Sequence, residues 1–312
     1  GYVATKTIGQ MMDYNINTVG PGLGTTTANL PLAKLYGRTN GVSMWDGFGY
    51  ATYNSLQATL NKNFSHGLFM KSSFTWGKAL NMSDDTGWAS VWGWSYLPMM
   101  NRNYGYAGYD RKYMYTMAWV YELPYGKGQK WSSESKAVEF LLGGWRVNGL
   151  FSAYTGTPFY ISGSSASLMC TGCTQTAEQI GEYIKLDGKG PMQQYFDVSS
   201  FRDPLYWQKQ TGVYKSGSTG KLPFHGPGFW QLDPAVYKTF KVTEKVGVEF
   251  RAEATNVMHN TRWSNPSGTS ANMSLNSDGS LNTSVSNPLN GFGTITSATS
   301  TRQFRFGARL SF

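Results

Sequence analysis

Alternation of apolar and polar residues with a period of two runs through most of the chain, while helical periodicity is nearly absent. The clearest case closes the sequence. Phe304, Phe306, Ala308, Leu310 and Phe312 share one face, and Gln303, Arg305, Gly307, Arg309 and Ser311 share the other. Successive side chains of a strand point to opposite faces, so this segment is greasy on one side and polar on the other. Upstream, Val246, Val248, Phe250, Ala252 and Ala254 alternate with Gly247, Glu249, Arg251, Glu253 and Thr255; Leu232, Val236, Phe240 and Val242 alternate with Gln231, Asp233, Tyr237, Thr239 and Lys241. Similar runs near 56–60, 68–76, 112–123 and 145–153, with a partial one at 1–8, bring the predicted number of strands to about eight.

The connections fall into two classes. Residues 65–67 and 243–245 read as tight hairpin links, and 124–144 as a longer one with a short helix around Ala137–Leu142. The stretches near 9–49, 81–111, 163–228 and 259–300 are long and rich in Gly, Ser, Thr and Asn. Such loops are uncommon in a compact soluble domain. They are expected in an outer-membrane barrel, whose periplasmic turns are short and whose extracellular loops are long. Counting back from a last strand that ends on the periplasmic side puts every long loop on the outer rim. The predicted fold class is therefore all-β, a transmembrane antiparallel β-barrel with long extracellular loops.

The strand at 112–123 adds a depth argument. Tyr113, Tyr115, Met117, Trp119 and Tyr121 share a face, and from Tyr113 to Tyr121 the chain rises about 20 Å at the usual barrel tilt. Tyr and Trp prefer the two interfaces of a bilayer, so Tyr113, Tyr115, Trp119 and Tyr121 are predicted to form membrane girdles. Burying these polar tips in a protein core would require a partner for each.

Composition agrees. Of 312 residues only 14% are charged and 15% are aromatic, whereas a soluble domain carries roughly 25% charged residues. Mean hydropathy is −0.38, and no apolar run approaches the ~18 residues of a membrane-spanning helix. The net charge of +9 is scattered singly rather than clustered along a groove, which argues against a nucleic-acid partner.

Candidate chemistry is sparse. Cys170 and Cys173 lie in the longest predicted loop, where a local disulfide, two free thiols or a metal contact are all open readings. A zinc site would need two further ligands, and no second cysteine pair exists. His66, His225 and His259 show no spacing to a nucleophile, and no Gly-x-Ser-x-Gly elbow or phosphate-cradling glycine loop is present. Neither an enzyme activity nor a cofactor or metal is expected. The stretch 276–280 reads as a turn with too few carboxylates for a calcium loop. Glu249, Arg251 and Glu253 should face the barrel lumen, with Arg305 and Arg309 across the same surface. They would either line a path and contact a plug or merely solvate the wall as a cross-strand ladder. Trp88, Trp92, Trp94 and Tyr96 are loop aromatics that would either stack on a ligand or pack on one another.

Several stretches together resemble one family. They include Tyr-Asn-Ser-Leu-Gln (53–57), Phe-Ser-His-Gly-Leu (64–68), Phe-Thr-Trp-Gly-Lys-Ala-Leu (74–80) and Val-Tyr-Glu-Leu-Pro-Tyr-Gly-Lys-Gly (120–128). Leu-Leu-Gly-Gly-Trp (141–145), Thr-Gly-Thr-Pro-Phe (155–159), Gly-Pro-Gly-Phe (226–229) and Phe-Gly-Thr-Ile (292–295) follow in order. The chain resembles the C-terminal barrel portion of TonB-dependent outer-membrane receptors of the Oar-like group. The resemblance implies a barrel of about 22 strands around an N-terminal plug, of which residues 1–312 would be about the last eight strands, without the plug and the N-terminal strands. It further implies uptake of an unidentified ligand across the bacterial outer membrane, with outer-membrane lipid, the plug, TonB and the barrel-assembly machinery as partners. Phe304, Phe306, Leu310 and Phe312 would carry the C-terminal assembly signal. The alternatives are a structural or adhesive barrel that presents surface loops, and a secreted all-β binding module.

Overall fold

The computed structural model describes residues 1–84, 90–190, 193–241, 243, 246–267 and 291–312. Among them run eight long strands: β1 (Tyr2–Asn15), β2 (Ser43–Ser65), β3 (Leu68–Asn81), β4 (Tyr113–Glu122), β5 (Trp145–Tyr154), β6 (Phe229–Lys241), β7 (Gly247–Thr255) and β8 (Gln303–Ser311). They form an antiparallel meander in strict chain order, with β1 and β8 at its two edges. These are the eight strands that the alternation predicts. Val242 and the turn expected at 276–280 lie outside the described residues.

Register carries the alternation across the sheet. On the apolar face Phe74 lies opposite Tyr115, Tyr115 opposite Ala153, and Ala153 opposite Trp230. Trp76 and Tyr113 pair one step further out. Both faces remain open. Trp76 is 50% exposed and Phe306 73% exposed, far more than a soluble sheet leaves on a face that should bury. Gly149 interrupts the apolar pattern of β5 because Trp119, opposite it in register, lays its indole where a Gly149 side chain would stand.

The strands reach further outward than the alternation predicts. β1 continues to Asn15 and β2 begins at Ser43, so the first outer loop is 16–42 rather than 9–49. The 23 residues of β2 make about 75 Å of strand, well beyond the ~25 Å apolar band of a bilayer barrel. Outside that band one side of β1 packs under the outer loops while the end of β2 stays exposed. Two register shifts flank Gln10, and beyond them Met12 and Tyr14 are buried against Met82 and Met100. Hydrophobicity there no longer follows one face, which erases the signal in the sequence.

The rims differ as expected. At the inner rim His66 (φ 51°) and Gly67 (φ 76°) link β2 to β3, the double left-handed geometry of a tight hairpin turn. The β4–β5 link contains helix α1 (Lys136–Leu142), where a helix is predicted. At the outer rim the described parts of the four long loops interlock into a platform. Its main core gathers Phe159, Ile161, Tyr195, Phe196, Phe201, Phe224 and Phe292, so the largest apolar core lies in the loops and not against the sheet.

One buried side-chain amide anchors each long loop. Asn17 donates to Arg38 O and Asn40 O and accepts from Leu32 N. Asn103 donates to Trp94 O and Met100 O and accepts from Gly93 N and Trp94 N. Gln175 donates to Ser167 Oγ and Lys215 O and accepts from Gly217 N and Thr176 N. Asn256 donates to Asn260 O and Thr301 O and accepts from Asn260 N. A loop without a ladder must satisfy its buried backbone groups in some other way, and an amide offers both donors and acceptors.

Candidate functional site

The polar face of β4–β8 is a lattice of charges set by register. Glu122, Arg146, Tyr237, Arg251 and Gly307 lie successively opposite one another, and so do Asn148, Ala235, Glu253 and Arg305. Thr239, Glu249 and Arg309 form a third row. All five predicted polar-face charges therefore share one surface. The close ion pairs are Arg146–Glu249 at 3.9 Å and Arg251–Glu253 at 3.4 Å, and Tyr237 donates to Glu253 at 3.0 Å. Arg305 and Arg309 stand directly opposite Glu253 and Glu249, but those two closest pairings go to Arg251 and Arg146 instead. Beside Gly307, where no side chain stands, Glu249, Arg251 and Arg309 surround a notch of about 200 Å³. Half-exposed pairs of this kind stabilise the wall little; their arrangement makes a polar, hydrated surface able to touch a charged solute or another protein segment.

The remaining predicted residues separate by face. Tyr113 and Tyr115 stand at the outer end of the apolar side of β4, and Trp119 and Tyr121 at its inner end, opposite Met70 and Leu68. Phe304, Phe306 and Leu310 continue that side on β8, opposite Ala254, Ala252 and Val248, and Phe312 follows the end of the strand.

The described loop aromatics, Trp92, Trp94 and Tyr96, pack rather than project. Trp94 is fully buried, which removes it from any ligand surface in this structure. Its ring lies 5.4 Å from Trp92, which in turn meets Tyr160 edge-on at 4.9 Å. Tyr96 lies over Gly20. Trp88 lies outside the described residues. Cys170 and Cys173 are joined as a disulfide, and the turn between them is zipped to the tryptophan segment by Ser95 N donating to Gly172 O at 2.7 Å.

Several residues that fix the platform carry no sequence signal, because nothing periodic marks them. Arg102 lies over Trp94 at 5.1 Å and donates to Gly217 O and Thr219 O at 2.7 and 2.9 Å; burial pulls its pKa below the ordinary value, with Glu178 opposing. Lys221 is buried on Asn81 and Asp84, and burial likewise lowers its pKa against the pull of Asp84. Asp110 accepts from Ala79 N at 2.6 Å and meets His225 Nε2 at 3.0 Å. Burial raises the Tyr183 and Tyr195 hydroxyls well above the usual phenol range. Among the described residues no group of three His, Cys, Asp or Glu side chains gathers in a metal-binding cluster, and no helix is long and apolar enough to cross a membrane.

A protein-family model described as an outer membrane beta barrel domain matches residues 1–305. No curated protein and no solved structure matches the chain.

Proposed function

The chain belongs to the outer membrane beta barrel domain family, a protein of the bacterial outer membrane, and from that premise we propose that it forms the wall and surface loops of a receptor that takes up a substrate in a TonB-dependent manner. The observation that carries this reading is the charge lattice. One face of the sheet is aromatic and suits lipid, while the other presents rows of Glu, Arg and Tyr over β4–β8, beneath a platform of interlocked loops. A barrel serving only to present loops needs a hydrated lumen but no such concentration of opposed charges. The resemblance to Oar-like receptors supports the finer reading, in which residues 1–312 are the C-terminal part of the barrel and the lumen face meets a plug. The role is binding and passage, without catalysis.

The test is accumulation in cells carrying the full-length receptor. Metal chelates, oligosaccharides and peptides, each radiolabelled, are offered with and without an uncoupler of the proton-motive force. Uptake of one class that stops with the uncoupler, and drops several-fold in the Glu249→Gln/Arg251→Gln double variant, supports import. Surface binding that never becomes accumulation for any class replaces the transporter with an adhesive barrel.

A further inference from the structure

We infer that a cavity at the outer rim holds a lipid of the outer leaflet, with its acyl chains on the apolar face of β4–β6 and its phosphorylated headgroup at Lys112 and Lys185. The cavity has a volume of about 700 Å³, within the range of ligand pockets. Its floor is the register row Tyr115–Ala153–Trp230, with Tyr113 at the outer edge. Ala153 is the small residue between two large rings, so the row contains a slot where its neighbours have walls. Phe151 braces both walls, with ring centroids 5.9 Å from Tyr115 and 6.1 Å from Trp230.

The roof comes from the loop platform: Tyr183, Lys185, Phe224 and His225. Tyr183 stacks on Phe224 at 4.5 Å, yet its hydroxyl is buried with no hydrogen-bond partner. That hydroxyl faces the protein interior, so Tyr183 presents its ring to the cavity. The lining includes Lys112, Lys185 and His225 but neither Asp nor Glu. Two of these groups already have acidic partners, Lys185 with Asp187 at 2.7 Å and His225 with Asp110 at 3.0 Å, which leaves Lys112 as the lining cation with no ion pair among the described residues. Lys112 lies beside the Tyr113 ring at 5.3 Å. The cavity is therefore apolar below, with Lys112 and the Lys185–Asp187 pair above.

Two facts favour a lipid over a soluble anion. The floor is continuous with the face that meets the bilayer, so acyl chains enter sideways without leaving the membrane. The aromatic end of that face also lies at the level where headgroups and chains meet. The inference does not depend on import and survives if uptake fails.

The experiment is native mass spectrometry of the full-length protein in neutral detergent, titrated with dioleoyl phosphatidic acid, with dioleoylglycerol, and with inorganic phosphate as competitor. One molecule of the phosphorylated lipid is expected to be retained at least tenfold more tightly than the phosphate-free one. Retention should fall about tenfold in Lys112→Ala/Lys185→Ala. Ala153→Trp, which fills the slot, should abolish retention, while Lys130→Ala at the opposite rim should leave it unchanged. Folding of each variant is checked by its heat-modifiable gel mobility; a variant that loses it is replaced by Ala153→Leu. Equal retention of both lipids, or retention unaffected by Ala153→Trp, overturns the inference. Displacement by inorganic phosphate at equal concentration also overturns it, since the site would then take a free anion.

Discussion

Asn103 shows how single residues hold the outer loops. Its amide makes four hydrogen bonds to the backbone of its own loop and is fully buried. Asn103→Ala leaves two backbone N–H and two C=O groups without that partner, and about 2–4 kcal/mol of platform stability should go with it. Hydrogen exchange at Gly93 and Trp94 should quicken strongly, while the amides of β6–β8 keep their protection; unchanged exchange at Gly93 would contradict the role. Asp203 makes a second residue-scale case. Its carboxylate accepts from Ser164 N and Leu205 N, but burial outweighs these bonds and holds its pKa above the ordinary 3.8. The folded state thus binds this proton more tightly than the unfolded state does. Its contribution is fully present below the ordinary value and is lost as pH rises through the raised one. Asp203→Asn keeps an acceptor and removes the charge, so the variant's platform should lose that pH dependence and resist proteolysis at pH 7 at least as well as the parent. Neither residue was legible in the sequence, because a lone polar side chain in a Gly- and Ser-rich stretch reads as solvated until its partners are known. The tryptophans were half legible: their number pointed to packing or binding, and only burial separates Trp94 from a ligand contact.

At the scale of elements the alternation worked wherever one face meets lipid and the other meets water. It located β3–β8 closely, and it failed at the outer ends of β1 and β2, where Met12 and Tyr14 are buried under the loops while Met11, Met44 and Trp45 stay exposed. The break at Gly149 was illegible because its reason lies on the neighbouring strand. Gly149→Val would put side-chain atoms into the Trp119 indole, and the ring must leave the face. We expect a loss of about 1–3 kcal/mol, seen as a lower urea midpoint of the full-length protein in vesicles together with a changed Trp119 emission. The β2–β3 turn makes a sharper test. Gly67 has φ 76°, and an added Cβ would stand 2.8 Å from Glu122 O. Gly67→Val should slow folding into vesicles and lower the midpoint by about 1–3 kcal/mol, whereas His66→Asn, which tolerates the left-handed region, should be neutral. Equal behaviour of the two variants would mean that the turn does not set the register.

For the whole molecule, the fold places its two chemistries on opposite sides of one sheet. Apolar side chains that a soluble protein would bury stay exposed across β1–β8, and among the described residues the larger apolar core belongs to the loops. The lipid-facing wall therefore derives its stability from its solvent and its ladder, and the platform derives its own from packing and buried amides. The division of rims was legible from loop lengths alone. The substrate was not, because the platform surface is set by packing between loops distant in sequence, such as Arg102 against residues 217–219.

The central claim is that even and odd positions of the late strands face different media. It is tested most directly by single cysteines at 249, 250, 251 and 252 of the full-length protein, each carrying an environment-sensitive fluorophore, in vesicles with brominated lipid or aqueous iodide. The account predicts that brominated lipid quenches at Phe250 and Ala252 and iodide at Glu249 and Arg251, with a strict period of two. Quenching without alternation, or with the two quenchers exchanged, would contradict it.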